Sequence, residues 1–207
     1  VEVIAEEEER EEEEEEQQHT APAVTEAQRA ERAILKLSLP RSGDSSDAAQ
    51  AQREADWHAA RSIVMDGELG AAQRGAYLLR LAQQCSAFET NCEARYLRAA
   101  LDGFEITEDV ARLLQIHDRL ARLPELAAEA RLASLETALE LADYQDDVVM
   151  RSALLWQKGE LLIAQGDATS GEQALFDSVD SVHQPHYMRV WDQRNLQLAN
   201  HFAAKGN

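Results

Sequence analysis

The sequence predicts an all-α protein of stacked antiparallel helical hairpins, either a solenoid or a bundle, with an acidic N-terminal tail. Three observations carry that expectation. Only 5% of residues are aromatic, whereas Ala, Leu, Glu, Gln and Arg are abundant, a composition of helices rather than strands. Apolar residues recur at spacings of three and four along most of the chain. Gly, Asp and Pro interrupt these stripes often enough to leave only short turns between helices.

Residues 1–20 are the tail: the first sixteen hold eleven glutamates against Arg10, over half of the net charge of −19. Like charges at i,i+3 and i,i+4 oppose a helix there, and no apolar face exists to bury, so a solvated tail or an arm for a basic partner is expected. Residues 21–46 contain a short helix and a linker. Thr25 caps that helix, Ala30, Ala33, Ile34 and Leu37 share one face, and Leu39-Pro40 stops it. Arg41 to Ser46 is flexible by composition.

The hairpin domain spans 47–207. From Asp47 to Met65, Ala51, Ala55, His58 or Ala59, and Ser62 form an Ala-rich stripe ending at Asp66-Gly67. Its partner runs from Leu69 to Gln84. After a loop at Cys85 to Asn91, Tyr96, Leu97, Ala100 and Leu101 mark a helix that Asp102-Gly103 ends. Thr107-Glu108-Asp109 caps the next, with Val110, Leu113, Leu114, His117 and Leu120 as its stripe. Pro124 closes it and suits the first turn of the following helix, whose Ala128, Leu132, Leu135, Leu139 and Ala142 give the most regular pattern in the chain. His186 to Ala204 places Tyr187, Trp191, Leu198 and Phe202 on one face and serves as a terminal cap.

Between them lies Ser152 to Val182, two amphipathic helices joined at Gly166-Asp167, with Ser170 and Gln173 as a capping box and Leu175, Ser178, Val179 and Val182 as core positions. The first of these helices is apolar on two faces and must sit between neighbours. This hairpin resembles a tetratricopeptide repeat, a helix-turn-helix unit of ~34 residues. Gly159 falls at the family's small crossing residue, Leu162 at its large apolar one, Gly166-Asp167 at the turn and Pro185 near its closing proline. Lys158 stands where the family has a leucine, and Ala174 falls three positions beyond its alanine. The resemblance implies a protein or peptide partner held by Ala153, Trp156, Glu160 and Ile163, the groove-lining positions of the first helix. Trp156 would be the anchor and Glu160 would select a basic or amine-bearing group; Trp156 as plain core is the competing reading.

Composition narrows the function classes further. The clustered Lys and Arg that phosphate binding needs are missing, which disfavours nucleic acid and anionic membrane surfaces. No run of ~18 apolar residues spans a membrane. No HExxH, GxSxG, GxGxxG or Cys-x-x-Cys occurs, so no catalysis and no cofactor is assigned. The histidines of His183-Gln-Pro-His186 have poor metal spacing, and Asp143, Asp146 and Asp147 read as turn residues rather than calcium ligands. His58 and His117 read as partly buried core residues. Cys85 and Cys92 either form a disulfide across their loop or remain two reduced thiols; the bond would place the protein in an oxidising compartment. With Val1 in place of a methionine, removal of an upstream leader or anchor is one expectation, and glutamates beside such an anchor suit the non-cytoplasmic side. Localisation stays unknown, leaning towards export. The expected function is a non-enzymatic interaction scaffold or adaptor, including as a subunit of a larger membrane-associated complex. The alternative is an all-α enzyme or ligand-binding bundle whose site assembles only in three dimensions.

Overall fold

The structure, a computed structural model, describes residues 24–38 and 46–204. The acidic tail, the Leu39-Pro40 stop, the linker up to Ser46 and Lys205-Gly206 lie outside the described residues. Nine α-helices and no strand are found among the described residues. They divide into two compact units, one on each side of Leu69-Gly70.

In the first unit α1 (Glu26–Ser38) packs on α2 (Asp47–Asp66). Thr25 Oγ accepts from the Gln28 amide and Gln28 Oε1 accepts from the Thr25 amide, a reciprocal cap that starts α1. Ala30 and Ile34 are buried, as the stripe predicts. In α2 the prediction fails by a face. Trp57, Ala60 and Val64 are buried, while Ala51, Ala55, His58, Ala59 and Ser62 are exposed. Alanine tolerates water almost as well as a core, so an alanine stripe is a weak pointer beside a single tryptophan. Gly67 is extended, at φ −74°, rather than left-handed. Its lack of a side chain answers crowding: a Cβ would stand 2.4 Å from the Ile63 carbonyl oxygen and 2.8 Å from Glu26 Oε2.

The second unit contains α3 (Ala71–Gln84), α4 (Glu93–Ile106), α5 (Val110–Arg122), α6 (Ala128–Tyr144), α7 (Val148–Ala164), α8 (Ala168–Ser181) and α9 (Met188–Ala204). Short 3₁₀ turns occupy Cys85–Ala87 and Pro185–Tyr187. Packing is densest within α3/α4, α5/α6 and α7/α8, and α4/α5 and α6/α7 link these pairs. Thus α3, expected to partner the helix before it, forms its hairpin with α4. Their crossing is close because Gly75 accepts the Phe104 ring and a Cβ on Gly103 would meet the Ala71 carbonyl oxygen at 2.5 Å. Gly103 is therefore a crossing residue inside α4, not its stop, and the helix runs on to Ile106.

Three corners share one design. Glu108, Asp146 and Gly166 have φ of 52°, 56° and 94°, and each is followed by an aspartate that caps the next helix. The Asp109, Asp147 and Asp167 carboxylates accept from the amides three residues on, and their own amides donate back to Phe104, Ala142 and Leu162 carbonyls. Asp167 thus takes the capping role expected of Ser170. Pro124 ends α5 but lies four residues before α6, whose cap is Ala127. Leu114, Ala121, Leu135, Ala138, Ala142, Leu154 and Leu161 form one core across α5, α6 and α7, with Leu132 and Leu139 against it. No described helix is long and apolar enough to cross a membrane.

Candidate functional site

Helix α7 is the most enclosed element of the second unit, as its two apolar faces predict: Ser152, Leu154, Leu155, Trp156, Gly159 and Leu161 are all buried. Against α8 it meets a seam of small residues. A Cβ on Gly159 would lie 2.7 Å from the Gly171 carbonyl oxygen, and one on Gly171 would lie 2.5 Å from Ile163 Cγ1. At the other end Ser152 Oγ donates to the Ser178 carbonyl at 2.9 Å while Ser178 Oγ donates to the Ser152 carbonyl at 2.7 Å. Both serines are fully buried, and this exchange satisfies hydroxyls that would otherwise be costly there.

The expected stripe divides by environment. Trp156 is 9% exposed and packs with Leu175, Val179 and Leu198, with Ile163, Trp191 and Phe202 around it. It is therefore roofed by α9. Ala153 and Ile163 are half-buried, and Glu160 is exposed. Above the Trp156 ring, 5.4 Å from its centroid, lies the Arg194 guanidinium, whose Nε donates to Ser152 Oγ at 3.3 Å and whose Nη1 donates to Gln197 at 2.8 Å. Burial lowers the Arg194 pKa from the ordinary arginine value, and the Glu160 charge opposes that shift.

On its α5 side, α7 borders an open cleft of about 290 Å³ lined by Ala121, Arg122, Arg131, Leu135, Gln157, Glu160, Leu161 and Ala164. Gln157 Nε2 donates to Asp118 Oδ1 at 3.1 Å, and the same oxygen receives Arg122 at 2.8 Å, tying α7 to α5. Arg131 Nε donates to the Ala121 carbonyl at 2.8 Å, closing the last turn of α5. Reading the sequence misses Arg131, Asp118, Gln157 and Arg194 as site residues. Arg194 alone carried a signal, since it lies three residues after Trp191 and four before Leu198 on the apolar stripe of α9.

A deep pocket around His58 or His117 with several carboxylates would favour an enzyme. His58 is exposed, and neither histidine lines the α5–α7 cleft. His117 is half-buried with Nδ1 unpartnered, and burial lowers its pKa against the pull of Glu105. His183 stacks on Trp191 at 5.0 Å, and no group of three or more metal-ligating side chains occurs among the described residues. Cys85 and Cys92 are joined in a disulfide with Cα atoms 6.0 Å apart, linking the end of α3 to the cap of α4. Compared with protein-family models, with curated proteins and with solved structures, the chain matches none.

Proposed function

We propose that the chain is a non-enzymatic interaction scaffold or adaptor, a tetratricopeptide-like stack of helical hairpins that holds a protein or peptide partner and serves within a larger assembly. The observation that carries this reading is the open cleft between α5 and α7, with Glu160 on its rim and an apolar floor of Ala121, Leu135, Leu161 and Ala164. Its volume falls at the lower edge of the ~300–1,000 Å³ typical of small-molecule sites, a size suited to a partner's side chain rather than a cofactor. Glu160 is then the contact residue of the stripe, and Trp156, Ala153 and Ile163 hold its helix in place from behind. The Cys85–Cys92 bond supports an exported, non-cytoplasmic location, since such bonds persist in oxidising compartments.

Photo-crosslinking tests the proposal. A crosslinking side chain at exposed Ala164 should capture a defined protein in the native compartment, whereas the same group at Tyr144, on the α6–α7 corner, should not. Equal capture at both positions, or none at either, overturns it.

A further inference from the structure

The cleft carries two opposite charges that do not satisfy each other. Arg131 on α6 and Glu160 on α7 line the same space, yet neither forms an ion pair with the other or with any described residue. The remaining polar groups of the lining are committed: Arg122 and Gln157 both bind Asp118. Glu160 has Arg194 within electrostatic influence, but not at ion-pair distance. The rest of the lining is apolar: Ala121, Leu135 and Leu161 are buried and Ala164 is exposed.

A guanidinium whose Nε is held by the Ala121 carbonyl but which enters no ion pair, and an exposed carboxylate, both lining one open cleft, make a complementary receptor for a ligand bearing both signs. We infer that the α5–α6–α7 cleft recognises a short peptide segment in which an acidic and a basic residue bracket one apolar residue. The acidic side chain pairs with Arg131, the basic one with Glu160, and the apolar side chain lies against Leu161 and Ala164. Guanidinium geometry favours a carboxylate on the Arg131 side, because its planar fork can donate two parallel hydrogen bonds. An uncharged or singly charged apolar segment would leave one wall unpaired. This inference rests on the cleft being the docking surface proposed above, and it adds the chemistry of the occupant.

The test uses the full chain and fluorescein-labelled seven-residue peptides Gly-Ser-Asp-Leu-Lys-Ser-Gly, the reversed core Lys-Leu-Asp, and the neutral core Asn-Leu-Gln, followed by fluorescence anisotropy. One of the two charged orders should bind about ten-fold or more tightly than the neutral peptide. Glu160→Lys, at an exposed site, should remove that preference. Arg131→Glu combined with Glu160→Lys should transfer it to the opposite order. Because Arg131 also holds the last turn of α5, Glu160→Lys remains the decisive variant if the double exchange unfolds. Equal binding of all three peptides, or charge preference unchanged in Glu160→Lys, overturns the inference. Partner capture at Ala164 without any charge preference overturns it too, while leaving the scaffold reading in place.

Discussion

Gly159 and Gly171 touch through their backbones: a Cβ on either would come within 2.7 Å of the other's carbonyl oxygen. A glycine inside a helix ordinarily costs ~0.5–1 kcal/mol relative to alanine. Here the sign should reverse. Gly159→Ala and Gly171→Ala should each destabilise by ~1–3 kcal/mol, because the two helices must part to admit a methyl group. Urea denaturation of the single variants checks this, and a gain of stability in either would show that α7 and α8 do not cross here.

Trp156→Ala should lower stability by ~3–5 kcal/mol, since the ring fills the space between α7, α8 and α9 and leaves a cavity when removed. Thermal melting reads the loss. A variant that melts like the native chain would mean that α9 does not cover Trp156 in solution, and would return that residue to the binding surface.

His117 sets a pH dependence whose sign is fixed by its environment. Its folded pKa is below the ordinary value, so the unfolded chain binds its proton more readily. The group is neutral in both states above the ordinary pKa of ~6.5, and stability is lost as pH falls through that value. Melting temperatures of the native chain and of His117→Gln, measured from pH 7.5 to 5.5, should converge towards acid. Parallel curves would exclude His117 as a contributor.

Reducing or replacing the Cys85–Cys92 pair removes a constraint on an eight-residue ring, spanning a sequence separation of 7. The chain-entropy relation gives a loss of ~2–3 kcal/mol. Cys85→Ser with Cys92→Ser should therefore melt lower than the oxidised chain, by a similar amount to reductant acting on the native protein. No difference among the three would show that the turn is held by its packing alone.

The regular stripes were legible because size and period agreed. Ala30 and Ile34 in α1, Leu135 and Ala142 in α6, and Leu175, Ser178, Val179 and Val182 in or beside α8 all face the core as their spacing predicts. Where the apolar residues are alanines, as at Ala51 and Ala55, period alone selects the wrong face and Trp57 decides. Glycine proved ambiguous for a physical reason: one residue type serves both a left-handed stop, at Gly166, and a close crossing, at Gly103. Corners at Glu108 and Asp146 carry no glycine, so their positive φ has no local signature, although the aspartates after them do. Gly159 was readable as a crossing residue, but its partner Gly171 lies within what reads as a capping box. The cleft itself was not readable. Arg122, Arg131 and Gln157 come from three different helices, and only the packing of α5, α6 and α7 brings them to one space.

Helix α9 has a single buried residue, Leu198, among its seventeen, and reaches α8 through an exposed segment, His183 to His186. Protection against amide exchange depends on what must break before a hydrogen bond opens, and for α9 that is little more than one leucine, one stacked arginine and a few aromatic edges. Its amides should therefore exchange with solvent well ahead of those in α7, through a sub-global opening that leaves the rest of the second unit intact. Each such excursion would briefly bare Trp156, so a tryptophan quencher or a protease acting at His183 to His186 would report the lifetime of the open form in a population that is overwhelmingly closed.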